Sequence, residues 1–488
     1  MDKRIAIIGG GIGGMAAGCF AQMNGYSSEI FEMHSVPGGV CTAWKRQGYT
    51  FDGCIHHLPG FIPGSKYYNL WVDLGIMPGL DPLYADELAQ VESAGGRKLT
   101  VYTDLDMLAD HLVLEFPGPD STLLTSWVMA MRSFAGSDIT EMALDSGWEK
   151  AMMLKRVPDL LKWGKYTLAG FAERRLTDPF LRKAFPSILY NTPSNPLILQ
   201  MNLLAACSTR EYGWPAGGSL AFARAMERRY KELGGELHYR ARVEKVLVEN
   251  DRAAGVRLED GTEHKCDIVI SNAYGKTTIF DMLDGKYAGK SLRRYYSRPV
   301  DDIGMGIHVS LGVDRDLAGE PHALVLLLDE PMKIADRVRD RLAVDIYSFD
   351  PSMAPPGKSV VKVVLPTSYS YWKDLCNDRE RYDSEKQRLA VDVVEVLDAR
   401  FPGLKQQVEV LDVATPMTTE RYTGIATTFK MGGGLLLRSQ VTSNGVSMTL
   451  PGLEDFYMVG QWGGLPGIGI VAGMGRQVIE KVKAKDGR

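Results

Sequence analysis

Four consecutive apolar residues, Ile5 to Ile8, run straight into glycine at positions 9 to 11, 13 and 14. A short unbroken apolar run is the pattern of a strand buried on both faces. Behind it, Met15 to Asn24 predicts a helix that stops at Gly25, and Ser28 to Phe31 predicts a second strand ending at Glu32. The chain therefore opens as strand, glycine turn, helix, strand.

The pattern changes several times further on. Residues 66–204 carry Met, Leu, Trp and Phe at helical spacings, with many Lys and Arg. Ser219 stands where an N-cap would open a helix from Ala221 to Leu233, closed by Gly234-Gly235. Three strands are expected next: Leu237 to Val248, Ala254 to Leu258, and Cys266 to Ser271, with hairpin turns at Asn250-Asp251 and Asp260-Gly261. His308 to Val313 and Val360 to Leu365 read as strands and Ser384 to Phe401 as a helix, a mixture that predicts an antiparallel sheet backed by helices. The end repeats the beginning: an apolar strand from Phe456, a turn through Pro466-Gly467-Ile468-Gly469-Ile470, and a helical stretch to Lys483.

Composition narrows the classes. The 488 residues suffice for two or three packed units, and 45% hydrophobic with 24% charged residues is the balance of an ordinary globular protein. A net charge of −4 argues against nucleic-acid binding through bulk charge. Six widely spaced cysteines form no CxxC, which argues against a dithiol motif or a zinc ribbon, and no metal site is expected. Reduced core thiols suit a cytoplasmic location. No apolar run reaches the roughly 18 residues that a membrane span needs.

The glycine turn then acquires a chemical meaning. Gly9 permits the tight turn, Gly11 lets the backbone approach a pyrophosphate, and Gly14 lets helix and strand pack closely. The pyrophosphate sits on the helix N-terminus beside Ile12 and Gly13, where free N–H groups and the helix dipole favour it. Glu32, followed by Met33, stands where an acid accepts from ribose hydroxyls and disfavours a 2′-phosphate. Three features favour FAD over NAD: the second glycine pair, Gly38-Gly39, followed by Val40; the strand excursion from 237 to 271; and the C-terminal segment with Gly460-Gln461 and Gly469-Ile470. A helix N-terminus at that last turn faces the flavin pyrimidine ring and stabilises negative charge on it. No second complete fingerprint follows, so electrons are expected to pass to an external acceptor or donor.

These pieces, with Gly48-Tyr49-Thr50-Phe51-Asp52, Trp214-Pro215-Ala216-Gly217-Gly218, Ser271-Asn272-Ala273, Thr415-Pro416 and Arg421-Tyr422, resemble the phytoene desaturase, carotenoid isomerase and retinol saturase family of FAD-dependent oxidoreductases. Phe51-Asp52 followed by Ile55-His56-His57, and Gly460-Gln461 in place of Gly-Asp, look closer to the saturase branch. Val40-Cys41 departs from the arginine that many members carry there. The resemblance implies an α/β architecture: a Rossmann-like FAD-binding domain (1–65, 205–275 and 446–488) with an inserted α+β substrate domain. That insertion would comprise a helical cap over 66–204 and an antiparallel sheet over 276–445, with a long apolar tunnel meeting the flavin. It also implies that Val243 contacts the adenine through its backbone.

The implied activity is desaturation, saturation or isomerisation of carbon–carbon double bonds in a carotenoid- or retinoid-like lipid. A flavin amine oxidase-like enzyme and a non-catalytic flavin-bound lipid carrier remain alternatives. Such chemistry needs a group that moves a proton beside the flavin, and His56 and His57 are the candidates. Residues 150–185 hold nine Lys and Arg against three Asp and Glu, interleaved with Leu, Trp and Phe. A basic, aromatic-bearing helical stretch of this kind suits peripheral contact with an anionic membrane.

Overall fold

A computed structural model describes residues 3–135, 157–189, 191–297, 305–426, 447–463 and 467–487. At its centre lies a parallel sheet of five strands, in the spatial order Glu236–Tyr239, Ser27–Glu32, Arg4–Ile8, Ile268–Ser271 and Phe456–Met458. The first strand is its middle member. Ile5 to Ile8 are all buried, which is why that run shows no polar alternation. The helix Ile12–Met23 follows directly, with Gly11 at its N-cap. It packs against two other helices, Gly218–Glu232 and Ile468–Asp486, through small residues. A Cβ on Gly475 would lie 2.6 Å from the Ala16 Cβ, and one on Gly18 would lie 2.7 Å from the Tyr230 ring.

The strand expected from Leu237 to Val248 is two strands. Arg240 takes a left-handed conformation, φ 56°, and the N–H groups of Arg240 and Ala241 donate to the carbonyls of His34 and Glu32. The chain there leaves the parallel sheet and enters a three-stranded antiparallel one, Val243–Glu249, Arg252–Leu258 and Glu263–Lys265. The hairpin turn falls on Asn250 and Asp251, both with positive φ, as a two-residue turn of the I′ type requires.

Ser219 is not the cap of its helix. Gly217, in a left-handed conformation, holds the N-cap position, and Ser219 lies one residue inside the helix. Its hydroxyl bonds to another part of the chain, as described below.

The second body is a seven-stranded sheet, in the order Val408–Ala414, Met305–Val313, Ser359–Thr367, Arg337–Ile346, Ala323–Ile334, Glu87–Ser93 and Lys98–Tyr102. Neighbours are antiparallel except Ala323–Ile334 beside Glu87–Ser93. The segment 66–204 is thus not helical throughout. Its hairpin of Glu87–Ser93 and Lys98–Tyr102 extends the sheet, because the cross-strand pairs Ala89–Val101 and Val91–Leu99 are buried on one face. The helices that follow, Leu105–Glu115, Pro119–Met131, Leu168–Arg175, Pro179–Ala184 and Leu197–Ser208, share one core around Trp127, Trp163, Phe171 and Phe185. Helix Arg379–Arg400 backs the sheet through Leu389, Val393 and Leu397. Among the described residues no helix is long and apolar enough to cross a membrane. The expected Pro466, and Lys150, Lys155 and Arg156 of the basic stretch, lie outside the described residues.

Candidate active site

The two glycine-bearing loops meet at one cavity of about 450 Å³. The second pair docks on the first: Gly38 N donates to Gly10 O at 2.9 Å, and Gly11 and Gly38 bridge in parallel. The approach leaves no room for side chains. A Cβ on Gly11 would lie 2.6 Å from Asn272 Nδ2; on Gly13, 2.8 Å from Asn272 Oδ1; on Gly460, 2.5 Å from the same oxygen. Asn272 stands just past the strand Ile268–Ser271, beside the middle strand, and its amide lies close against the backbone at Gly11, Gly13 and Gly460.

Of the residues expected to hold a cofactor, Gly9, Gly11, Ile12, Gly13, Glu32, Met33, Gly38, Gly39, Val40, Val243, Gly460 and Gln461 line this cavity. Gly14, Gly469 and Ile470 do not. Gly14 packs on the first strand, where a Cβ would meet Gly9 O at 2.1 Å, and Gly469 faces the Tyr67 ring. Their neighbours Ile468 and Val471 reach the cavity instead, from the first turn of the last helix.

Glu32 is buried, and its carboxylate accepts from Gly10 N and His34 N, both at 2.7 Å. Burial pushes its carboxyl up, against the pull of those N–H groups. The remaining lone pairs of its oxygens are open to the cavity. The residues present therefore fit a dinucleotide: glycine backbone at a helix N-terminus, a fixed acid at one end, and the first turn of a second helix at the other.

At that second end the wall is Val40, Cys41 and Cys54. Asp52, fully buried, fixes this wall. Its oxygens accept from Cys54 N at 2.9 Å, Ser219 Oγ at 2.7 Å and Ser219 N at 2.6 Å, while Ser219 Oγ accepts from Ile55 N at 2.9 Å. The carboxylate thus sits at the N-terminus of helix Gly218–Glu232, where the helix dipole favours it.

The loop leads from Cys54 directly to His56 and His57, which line a second cavity of about 240 Å³ with His322, Trp214, Phe349, Tyr84 and Arg210. Burial is the largest influence on the charge of both rings. It lowers His56 despite Asp345, whose oxygen is 3.9 Å from Nδ1, and it takes His57 down to about 3. Both are neutral imidazoles at neutral pH.

Sequence reasoning missed the groups behind them. Lys362, in the middle of strand Ser359–Thr367, is 1% exposed. Its ammonium donates to Tyr347 Oη at 2.5 Å and to Asp52 O at 3.1 Å, and lies 3.5 Å from Asp345 Oδ2. Asp345 and Lys362 are direct cross-strand partners. Asp345 therefore joins a buried cation to His56. On the other side, His322 Nδ1 is 3.1 Å from Glu87 Oε1, and the His322 ring meets His57 edge to face. Elsewhere, Glu29, Glu236 and His238 bring their ligand atoms within 4.8 Å on the outer strands of the parallel sheet. Tyr422 stacks edge-on against His34, a contact between the second sheet's helix and the first domain.

A family model of the NAD(P)-binding Rossmann-like domain matches residues 7–74. Prolycopene isomerase of Arabidopsis thaliana is 22% identical over 435 residues, 85% of this chain and 72% of its own. Lycopene-forming phytoene desaturase of Pseudescherichia vulneris is 24% identical, over 85% of each chain. All-trans-retinol 13,14-reductase of Danio rerio is 23% identical, over 86% of this chain and 76% of its own.

The chain resembles the phytoene desaturase, carotenoid isomerase and retinol saturase family over most of its length.

Solved structures show the fold alone. An oxidoreductase from Methanosarcina mazei superposes with a TM-score of 0.61 at 18% identity, covering 98% of this chain and all of its own. Putrescine oxidase bound to putrescine gives 0.57 at 13%, covering 99% of each. Within this family resemblance, the mixed lining of the second cavity departs from the expected apolar tunnel: histidines, Arg210, Thr103 and Ser208 stand among the aromatic rings. No sequence spacing signalled Lys362, Asp345 or His322, since each reaches the site across strands far from the glycine loops.

Proposed function

We propose that this chain is an FAD-dependent oxidoreductase acting on carbon–carbon double bonds of a polyene or isoprenoid lipid, by desaturation, saturation or isomerisation. One observation carries the reading: a dinucleotide-sized cavity is lined by Cys54, and the histidines two and three residues on line a second cavity. FAD, when bound, supplies the exchange of a hydride with a substrate carbon.

The chain's own residues do the rest. Glu32 would accept from the ribose hydroxyls, the backbone of 9, 11–13 and 38–39 would cradle the pyrophosphate, and Val243 would hold the adenine. The first turn of the helix at Ile468 would stabilise negative charge on the flavin. His56, held by Asp345, exchanges the proton on the neighbouring carbon. His57, neutral throughout the physiological range, orients the substrate by hydrogen bonding. Trp214 and Phe349 give the second cavity an apolar wall and exclude water from it.

The outside partners follow from the surface. Electrons pass to an external acceptor or donor. The helical cap exposes Leu114, and Leu161 beside Lys162, 77% and 71% accessible, which supports contact with the face of an anionic membrane where the lipid is collected.

The test is anaerobic. The purified protein's flavin spectrum is recorded, and candidate polyenes are added to oxidised and to reduced enzyme separately. Bleaching of the oxidised band means desaturation, reoxidation of the reduced enzyme means saturation, and a changed isomer with no net spectral change means isomerisation. A protein that binds lipid without any of these is a carrier, and one bleached by amines alone is an amine oxidase. Failure to take up FAD would end the proposal.

A further inference from the structure

The wall between the two cavities holds two cysteines that the reaction above does not use. They are thirteen residues apart and belong to no recognisable motif, yet strand register brings them together. The hairpin Ala43–Arg46 and Tyr49–Asp52 pairs Arg46 with Tyr49, Lys45 with Thr50, Trp44 with Phe51 and Ala43 with Asp52. Gly53 N donates to Thr42 O at 2.9 Å, so the ladder continues one step as a hydrogen-bonded pair. The strands end there, with Cys41 N turned back to Gly38 O, but one further step of the same register would set Cys41 opposite Cys54. Pairs alternate along an antiparallel ladder, which makes this one the close, non-hydrogen-bonded type, with Cα atoms about 4.5 Å apart in a regular ladder. That separation lies within the roughly 4.4–6.8 Å a disulfide spans.

The side chains agree with the register. The two thiols are in hydrogen-bond contact. Both line the first cavity. Cys41 is 2% exposed, its sulfur 3.8 Å from Ser219 O, whereas Cys54 is only half-buried. Cys54 is the more accessible of the two and Cys41 is almost wholly enclosed.

We propose that Cys41 and Cys54 form a redox-active dithiol, which closes to a disulfide in the cavity wall by exchange with a low-molecular-weight disulfide. The Cys54 thiolate attacks one sulfur of the small disulfide, breaking its S–S bond and releasing one small thiol. Cys41, deprotonated in turn, attacks the Cys54 sulfur of the mixed disulfide and releases the second. The protein gives up two electrons and two protons and gains one S–S bond; the small disulfide takes them up as two thiols. The hydrogen bond to Cys54, then burial, pushes the Cys41 thiol well up. Closure therefore quickens as pH rises, since the thiolate is the attacking species. The bond would tie the segment 40–42 to the loop that carries His56 and His57. This inference does not depend on the carbon skeleton of the substrate.

The experiment uses the full-length protein as purified, incubated with oxidised glutathione, quenched in acid, denatured, alkylated and peptide-mapped. The expected product joins the peptides of Cys41 and Cys54 in most chains, forming several-fold faster at about pH 9 than at about pH 7. Cys41→Ser should instead retain a glutathione adduct on Cys54, and Cys54→Ser should form neither, while Cys376→Ser, which removes an exposed thiol elsewhere, should behave as the native sequence does. Both thiols found alkylated after oxidation, or a lasting glutathione adduct on Cys54 of the native sequence, would overturn the proposal. Should the serine variants fail to fold, the native peptide map alone decides.

Discussion

Glu32 faces the dinucleotide cavity while two backbone N–H groups hold its oxygens in place. Replacing it with alanine removes a charged acceptor and leaves the buried Gly10 N–H without its partner. A hydrogen bond to a charged group contributes about 1.5–3 kcal/mol. Glu32→Ala should therefore weaken FAD binding by at least about tenfold, since about 1.4 kcal/mol is a factor of ten. Equilibrium dialysis of the deflavinated protein measures it, and an unchanged affinity would remove Glu32 from the site. His57 supports a prediction about pH. Its folded value near 3 lies below the ordinary 6.5, so the unfolded chain binds a proton that the folded one refuses. Stability is then lost as pH falls below the unfolded value, with a slope of about 1.4 kcal/mol per pH unit for one such group. Denaturant titrations of native protein and His57→Gln, compared between about pH 6 and pH 4, should differ in slope by about that amount, the variant being less acid-sensitive. Glu32 was legible in the sequence because its role depends on distance from a glycine turn along one strand. Lys362 was not, because its partners Asp52, Asp345 and Tyr347 come from other strands and only the folded register sets them side by side.

At the scale of elements, Ser219 joins three pieces: the helix it begins, the loop it receives through Ile55 N, and the buried Asp52 it bonds twice. Ser219→Ala strips Ile55 N of its acceptor and Asp52 of one donor, at a cost of about 1–3 kcal/mol for each buried group left unmet. The apparent melting temperature should fall, and flavin content should fall with it, because the same loop forms the cavity wall. A variant that loses stability but keeps full flavin occupancy would separate the anchor from the cavity. The sequence pattern read Ser219 as a cap because serine before an apolar helix usually is one; here Gly217 takes that place and frees the hydroxyl for a tertiary contact. Arg240 misled in a similar way. Leu237 to Val248 alternates well enough for one strand, and only the left-handed residue within it sends the chain from one sheet to another. The open strands of the second sheet were harder still. Arg337–Ile346 buries Leu342, Val344 and Ile346 but carries Arg341 before them and Asp345 among them, and its partner Ala323–Ile334 holds the charged Asp329-Glu330. Asp329, Glu330 and Lys333 are exposed within Ala323–Ile334, and Val338 and Asp340 within Arg337–Ile346, so apolar periodicity covers only part of each.

For the molecule as a whole, the question is where a water-insoluble substrate would meet it. The parallel-sheet domain turns its apolar surface inward, and the second sheet is covered by helix Arg379–Arg400. Val338 and Val391 are exposed singly there, whereas the helical cap gathers several such side chains. Met107, Val113 and Leu114 on one helix, Met129 on the next, and Leu161 on a third are all at least half exposed, and Lys162, Lys165, Arg174, Arg175, Arg182 and Lys183 stand in the same cap. Met107 also borders the second cavity, so the exposed apolar side chains begin at its rim. Exposed leucines cost the free protein solubility and are tolerated where they have a surface to enter. Basic neighbours would draw that surface from among anionic ones, each contributing about 1 kcal/mol near a charged leaflet. The protein should therefore float with vesicles containing phosphatidylserine or phosphatidylglycerol and not with purely zwitterionic ones, and the bound fraction should fall as salt shortens the screening length. Leu114→Glu with Leu161→Glu should reduce flotation several-fold, while turnover of a short, detergent-dispersed polyene stays near the native value, because neither side chain borders the cavities. Equal flotation on neutral and anionic vesicles would assign the attraction to the leucines alone, and no flotation on either would leave the cap as a soluble cover.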